Sequence, residues 1–242
     1  TIDPKTKMAQ PARRITSDPS SLSSKYDFPV TPIQLTKQWP EQPPFQPEDF
    51  DRVDPSNDSR FYSIPKLVYH IDELAVASLT QYYNNNIPDG SDILDICSSW
   101  VSHYPLDFPA RMGTIYGTGI NRLELQLNDQ LTGGYVATDL NAEPKLPYND
   151  ASLDVVTCVV SIDYLIHPIE TLQEVHRVLR PGGKVIISQS NRYFPTKAIA
   201  MWINNKNDDD TNNKRTMNDQ QKQQQQQQQR QRYSIYENPH HE

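Results

Sequence analysis

Residues 146–188 read LPYNDASLDVVTCVVSIDYLIHPIETLQEVHRVLRPGGKVIIS, and this stretch decides the fold. The run from Leu153 to Val160 is apolar and rich in valine, which is typical of a strand covered on both faces. Pro168 then begins a helix, because proline is favoured in a first helical turn. Pro181-Gly182-Gly183 is expected to end that helix, and Lys184 to Ser188 form the next apolar strand. The stretch therefore predicts two parallel strands joined by a right-handed helical crossover.

The chain before this stretch repeats the same alternation. Three further strands are predicted: Ile93 to Cys97, Thr114 to Tyr116, and Tyr135 to Thr138. Asn121 is expected to cap a short helix that ends at Leu127. A longer helix is expected from its cap at Ser63 to Tyr82, since apolar residues recur there at helical spacing. The predicted fold class is α/β, a doubly wound and mostly parallel sheet.

Proline and glycine divide the chain into three parts. Ten of the 20 prolines lie in residues 1–55, whereas all eight glycines lie between Gly90 and Gly183. Residues 1–60 are therefore interpreted as a disordered Pro/Ser-rich arm, and 61–203 as the folded domain. Residues 204–242 are interpreted as a disordered Asn/Gln-rich tail, which includes the unbroken glutamine run Gln223 to Gln229.

Composition excludes several classes of protein. A net charge of −7 argues against a nucleic-acid partner. No apolar run reaches the length of a membrane span. The two cysteines indicate a reducing compartment, so a cytoplasmic location is expected, with organellar targeting left open. The chain has no Gly-x-Ser-x-Gly elbow, no phosphate-binding loop and no Cys-x-x-Cys pair, so no metal is expected.

Part of the sequence resembles a known family. The resemblance lies in residues 146–156 and, after them, in His167, Glu174, Arg177-Val178-Leu179 and Pro181-Gly182-Gly183. They are similar to class I S-adenosylmethionine (SAM) dependent methyltransferases of the type 11 kind, in a divergent and poorly characterised subgroup. The resemblance covers about Ile93 to Ser190. It implies a Rossmann-like methyltransferase fold, SAM as cofactor, and methyl transfer to an unknown small-molecule or protein acceptor.

The family normally completes its sheet with an antiparallel hairpin after the fifth strand. After Ile203 the sequence is almost entirely polar. Either the sequence is truncated or the domain lacks that hairpin, and both alternatives stay open.

The resemblance also assigns cofactor-binding positions, which fall at the carboxyl ends of the predicted strands, where such sheets bind ligands. These positions are Asp95, Cys97, Ser98, Ser99, Gly119, Asn121, Asp139, Leu140 and Ser161. By resemblance, the loop from Cys97 to Ser99 receives the methionine part, with Ser161 beneath it. Asp139 and Leu140 receive the adenine.

The sequence departs from the family pattern in two places, at the glycines after the first strand and at the acid after the second. The family's first strand ends in Asp-x-Gly-x-Gly, because bare backbone must approach the cofactor. Here Cys97 and Ser99 stand at the two glycine positions. The family's acid for the ribose hydroxyls corresponds to Gly119, with Asn121 nearby as a weaker substitute. Asp95 and Asp139 also have structural alternatives, as a satisfied buried acid and a loop cap.

Two functions remain open from the sequence. One is a SAM-dependent methyltransferase, and the other is a domain of the same fold that has lost catalysis and serves as a binding or scaffold module. No catalytic residue is assigned, although Tyr164 and His70 are expected near the pocket. His103 is expected to be a loop histidine satisfied by solvent. Cys97 and Cys158 should lie within about 10 Å of each other, because neighbouring strands are about 4.8 Å apart.

Overall fold

A computed structural model describes Thr31, Ile33 and residues 40–204. In this part of the chain, five parallel strands form one sheet in the order β3-β2-β1-β4-β5. The strands are β1 (Ile93–Ile96), β2 (Ile115–Gly119), β3 (Gly134–Ala137), β4 (Leu153–Val159) and β5 (Leu179–Ser188). The sheet confirms the predicted fold class, including the parallel pairing of β1 with β4.

Helices connect these strands. They are α1 (Asp58–Phe61), α2 (Glu73–Asn86), α3 (Phe108–Arg111), α4 (Arg122–Leu127) and α5 (Pro168–Val178), with 3₁₀ turns at Pro47–Phe50 and Ile162–Tyr164. The predicted cap of α4 is confirmed, because the Asn121 side chain accepts hydrogen bonds from the backbone N–H groups of Leu123 and Glu124. Such a cap satisfies donors that have no partner within the helix.

The predicted start of the long helix was wrong. Helix α2 begins after Asp72, whose side chain accepts a hydrogen bond from the Ala75 N–H, and not after Ser63. The apolar residues before it do not form a buried helical face, since Ile64 is 75% exposed. His70 adopts a left-handed backbone with φ of 60°, which a right-handed helix cannot contain.

The transition from α5 to β5 also differs from the prediction. Helix α5 ends at Val178, and β5 already pairs at Leu179, opposite Leu153. The pairing then shifts, so that Val155 lies opposite Lys184. The Pro181-Gly182-Gly183 segment occupies this irregular part of the strand, where Gly182 has a φ of 82° that favours glycine.

The central strands are covered on both faces. All four residues of β1 are buried, and so is most of β4. Ile93 and Val155 belong to one hydrophobic cluster, while Leu94 and Val156 belong to a second. Alternate side chains of a strand point to opposite faces, so the two clusters are the two sides of the sheet. This arrangement confirms the double coverage predicted for β4.

A buried ionic cluster joins the start of the domain to the segment after β5. One nitrogen of Arg52 lies 2.9 and 2.8 Å from the two carboxylate oxygens of Asp58. The Lys197 ammonium, fully buried, lies 3.1 Å from Asp58 and 3.1 Å from Asp54. The Asn141 amide donates a fourth contact to Asp58 at 2.7 Å. Burial opposes ionisation of Asp58, but these donors outweigh it and lower its pKa.

The cluster corrects part of the predicted domain boundary. Arg52 and Asp58 were assigned to the disordered arm, yet they contact Lys197, and the Asp54 N–H donates to the Thr196 carbonyl. The long separation in sequence hid this pairing, because isolated charges in a proline-rich segment resemble a solvated arm. Of the predicted arm, the structure describes only Thr31, Ile33 and residues 40–60. The predicted tail beyond residue 204, with its glutamine run, lies outside them too.

Asp58→Asn should lower the free energy of unfolding by about 3–5 kcal/mol, because it leaves two buried cations without their shared carboxylate. Urea denaturation followed by circular dichroism measures the change. Asp51→Asn is the matched control, since Asp51 is exposed and neighbours the same segment. Equal stability of the two variants would show that the cluster contributes nothing net.

The chain divides into two compact units after Ile199. Of the second unit, only residues 200–204 are described, and they are helical. No helix of the described residues is long and apolar enough to span a bilayer.

Candidate functional site

A cleft of about 240 Å³ opens at the carboxyl ends of the strands. All nine positions assigned to the cofactor from the sequence line it: Asp95, Cys97, Ser98, Ser99, Gly119, Asn121, Asp139, Leu140 and Ser161. His70 and Tyr164 line it as well. The nine assigned positions lie at or after the ends of four strands, which the sheet brings to one edge.

Asp95 ends β1 as a fully buried carboxylate. Its two oxygens accept hydrogen bonds from the hydroxyls of Ser102, at 2.6 Å, and Thr157, at 2.9 Å. Burial raises its pKa to about 6, and the hydroxyl donors only partly oppose that rise. Asp95 therefore joins the loop after β1 to β4, as a buried acid satisfied by side-chain hydroxyls.

Cys97 occupies the first glycine position of the loop and keeps a glycine-like backbone. Its φ is 54°, in the left-handed region that costs other residues about 1–2 kcal/mol. Cys158 lies opposite Ile96 in the sheet, and its thiol contacts that of Cys97. This contact and burial together raise the pKa of Cys158. The predicted proximity of the two thiols is confirmed.

Backbone strain is concentrated at the cleft. Of the five non-glycine residues with positive φ in the described part of the chain, four line it: His70, Cys97, His103 and Val160. A left-handed conformation is especially unfavourable for a β-branched residue such as Val160. Strained residues of this kind persist where the surrounding structure enforces them, often at functional sites.

Gly119, at the end of β2, cannot carry the missing acid. A Cβ atom built there would collide with the carbonyl oxygen of Ser98. The Ser98 N–H also donates to the Thr118 carbonyl at 2.6 Å, which holds the loop against β2. The loss of the acid and the close approach of this loop are therefore one structural change.

Asn121 reaches the cleft, but protein groups occupy its side chain. The amide oxygen caps α4, at 2.9 Å from the Leu123 nitrogen and 3.1 Å from the Glu124 nitrogen. The amide nitrogen donates to the Tyr62 carbonyl at 2.7 Å. Its role as a substitute for the ribose acid would require breaking one of these bonds.

Glu124 is a cleft residue that the sequence reasoning missed. It lies in the first turn of α4 and is 6% exposed. One carboxylate oxygen accepts from the Ser99 hydroxyl at 2.6 Å, and the other accepts from the Lys66 N–H at 2.6 Å. Among the described residues, no lysine or arginine forms an ion pair with it. An acid three residues after a helix cap usually bonds back to the cap, so the sequence pattern concealed this role.

The residues after β3 and the turn after β4 line one wall of the cleft. Asp139 accepts a hydrogen bond from the Asn141 N–H at 2.9 Å, as the loop-cap alternative expects, and no hydrogen bond from the described residues reaches its second carboxylate oxygen. Leu140 is buried in the second cluster. The Ser161 hydroxyl donates to the Val159 carbonyl at 2.7 Å.

The opposite wall of the cleft is aromatic. Phe194 stands at its centre, with ring centroids 5.4 Å from Phe61, 5.8 Å from Tyr164 and 6.0 Å from His70. The Tyr164 hydroxyl accepts a hydrogen bond from the Phe194 N–H at 2.9 Å. The wall combines the segment before α2 with the segment after β5.

The expectation for His103 was wrong. The side chain is buried rather than solvated, its Nδ1 has no hydrogen-bond partner, and its ring lies 5.7 Å from that of Tyr69. Burial and the nearby His70 lower its pKa to about 4, so it is neutral at pH 7.

Part of the chain is similar to known proteins. The methyltransferase type 11 family, described as a methyltransferase domain, matches residues 101–187. The demethylmenaquinone methyltransferase of Bacillus licheniformis is 28% identical over 113 residues, which are 44% of this chain and 48% of that protein. The ubiquinone/menaquinone biosynthesis C-methyltransferase UbiE of Bordetella avium is 32% identical over 114 residues, 44% of each chain. The mitochondrial 2-methoxy-6-polyprenyl-1,4-benzoquinol methylase of Mus musculus is 39% identical over 72 residues, 28% of this chain and 22% of that protein.

Solved structures are also similar. A methyltransferase of unassigned substrate from Bacillus halodurans aligns with a TM-score of 0.39 and 20% identity, over 46% of this chain and 49% of that chain. A SAM-dependent methyltransferase from Mesorhizobium loti aligns with a TM-score of 0.36 and 18% identity, over 45% of this chain and 52% of that chain.

The parallel sheet, with its cleft at the carboxyl ends of the strands, has the Rossmann-like methyltransferase fold. The match of residues 101–187 to the methyltransferase type 11 family implies SAM as the cofactor. The match begins after the β1 loop, where Cys97 and Ser99 depart from the family's glycines. The chain spans about half the length of the first curated relatives that it matches.

Gly119→Asp, which restores the family's acid, should destabilise the protein by about 1–3 kcal/mol or more, because its Cβ collides with the Ser98 backbone. Urea denaturation measures the loss. Ala142→Asp adds the same carboxylate at an exposed position and should have little effect. A fully stable Gly119→Asp protein would mean that the β1 loop can move away from β2.

Proposed function

We propose that this protein binds SAM in the cleft and transfers its methyl group to a small planar acceptor of the hydroquinone type. The observation that carries the proposal is the convergence of all nine family positions on one cleft at the carboxyl ends of the strands. When bound, the cofactor supplies an electrophilic methyl group on a sulfonium. The protein's part is to hold both reactants in line, which is the main requirement of such a displacement.

The residues present fit the cofactor's polar groups. Thr118 lines the cleft with a buried hydroxyl that has no hydrogen-bond partner, which indicates room for a ligand's polar atom. Asp139 would receive the adenine amino group on its second oxygen, beside Leu140. The left-handed turn at Cys97 would present backbone N–H groups of the loop to the methionine carboxylate.

Glu124 would take the place of the missing ribose acid. Each carboxylate oxygen can accept two hydrogen bonds, and the protein supplies one donor to each. Two acceptor positions therefore remain, which match the two donors of a vicinal diol. A ribose in the cleft would also compensate the cost of burying this carboxylate.

The acceptor class rests on the relatives and on the aromatic wall. The relatives above are named for methylation of menaquinone, ubiquinone and benzoquinol compounds. The ring faces of Phe194, Tyr164 and Tyr62 around the cleft offer stacking surfaces for a planar ring.

A second candidate is a binding or scaffold module without catalysis. The Ser99–Glu124 hydrogen bond favours it, because it engages a loop residue and an acid that the cofactor would otherwise use. On this alternative, the β1 loop is closed against β2 and SAM does not enter.

Titration with SAM by isothermal calorimetry separates the two candidates. The proposed function predicts saturable heat and a raised melting temperature in the presence of SAM, since a ligand that binds only the native state stabilises it. Absence of both heat and a thermal shift at millimolar SAM would overturn the enzyme proposal and leave the scaffold role.

Glu124→Gln should weaken binding of S-adenosylhomocysteine about tenfold, because the neutral amide accepts hydrogen bonds from hydroxyls less strongly than the carboxylate. The dideoxy analogue, which lacks both ribose hydroxyls, should bind the wild-type and variant proteins equally. Calorimetry measures all four affinities. Glu143→Gln, which changes an exposed acid, is the control. An equal loss for both ligands would assign Glu124 a purely structural role.

A further inference from the structure

We infer that His70 is the catalytic base that accepts the proton of a hydroxyl group on the acceptor. The inference rests on the proposed function and adds the residue that activates the substrate. His70 lies in the segment before α2 and lines the cleft between the aromatic wall and α4.

The imidazole of His70 is positioned but unengaged. Its ring packs edge-on against Phe194, with centroids 6.0 Å apart and an angle of 82° between the planes. No hydrogen bond from the described residues reaches either of its nitrogens. A partly buried imidazole with free nitrogens inside a cleft is available to a ligand, whereas a structural histidine normally has a partner.

The charged and titratable surroundings keep the imidazole neutral. Burial is the main cause that lowers the pKa of His70 below its usual 6.5, and Lys66 lowers it further, whereas Glu124 on α4 opposes them. Other titratable groups also line the cleft: Asp58, Tyr62, Tyr69, Asp95, Cys97, His103, Asp139, Tyr164, Arg192 and Tyr193. At pH 7 the side chain is therefore a proton acceptor and not an imidazolium.

The neighbouring groups are less suitable as bases. The Tyr164 hydroxyl already accepts the Phe194 N–H, and burial raises its pKa. Burial also lowers the pKa of His103 to about 4, which makes it a weak base at pH 7. Asp95 has both oxygens engaged by hydroxyls.

The proton passes from the acceptor's hydroxyl group to His70. The O–H bond of the phenolic acceptor breaks, its electron pair stays on oxygen, and the proton passes to a nitrogen of His70. The phenolate is a stronger nucleophile: its electron pair forms the new bond to the methyl carbon as the S–CH₃ bond breaks, and the cofactor leaves as a neutral thioether. Transfer to a ring carbon is followed by loss of that carbon's proton to solvent, which restores the aromatic ring. The imidazolium also releases its proton to solvent. General-base catalysis of this kind contributes roughly 10²–10⁴-fold in rate.

Two substitutions preserve the backbone while removing the base. His70 has a φ of 60°, a region that asparagine and glycine tolerate better than other residues. His70→Asn keeps a polar side chain that is not a base, and His70→Gly leaves a space that free imidazole can enter. His176→Gln is the matched control, because His176 is exposed on α5.

The first test measures binding of methoxyhydroquinone by calorimetry at pH 5 and pH 7.5, without cofactor. A neutral imidazole accepts the phenolic hydrogen bond and an imidazolium cannot, so wild-type affinity should fall as the pH decreases through the pKa of His70. We expect several-fold weaker binding at pH 5 for the wild-type and His176→Gln proteins, and no such change for His70→Asn. The same pH dependence in His70→Asn would overturn the inference.

The second test measures methyl transfer from SAM to methoxyhydroquinone. His70→Asn should reduce kcat about 10²-fold with little change in KM and should remove the acid limb of the pH profile below pH 6.5. Added imidazole should restore part of the rate in His70→Gly. Failure of the wild-type protein to bind SAM would overturn the proposed function alone, since the hydroquinone titration decides the role of His70 without the cofactor. Full activity of His70→Asn would overturn the inference.

Discussion

The buried carboxylate of Asp95 is the interaction on which the cleft depends. It connects the end of β1, the following loop through Ser102, and β4 through Thr157. Asn128 extends this network, since its amide donates to the hydroxyl of Ser102 and to the carbonyl of Ser99. A buried acid is costly, as the raised pKa of Asp95 shows, so the network persists only because every oxygen has a donor. The position of the loop after β1 follows from this constraint.

The loop after β1 makes its tight turn without the glycine that the family has at position 97. Cys97 adopts the left-handed turn itself and places its thiol against Cys158. The loop then packs onto β2, where only a glycine at position 119 leaves room for the Ser98 carbonyl. The carboxylate that faces the loop comes instead from α4, through Glu124. The left-handed turn at Cys97, the glycine at position 119 and the carboxylate of Glu124 are thus parts of one arrangement.

Local patterns in the sequence were sufficient for much of the fold. The valine-rich run of β4, the cap at Asn121 and the start of α5 at Pro168 each depend on neighbouring residues, and all three occur as expected. The placement of the nine cleft residues followed from the family's strand ends. Glu124 was missed because its partners, Lys66 and Ser99, are distant in sequence. Helix α2 was extended too far because the apolar spacing at residues 64–71 does not form a buried helical face: Ile64 is 75% exposed and Val68 lines the cleft.

The same two chain segments form the ionic cluster and the aromatic wall of the cleft. Asp58 contacts Arg52 and Lys197, and it also lines the cleft next to Asn141. The two segments that it joins are those that supply His70 and Phe194 to the opposite wall. Neither segment belongs to the sheet, so their relative position depends on these buried charges together with an antiparallel bridge between Arg52 and Ile199. Such ionic pairs give less net stability than apolar packing but are strict about geometry, which suits a wall that must hold an imidazole against a planar substrate.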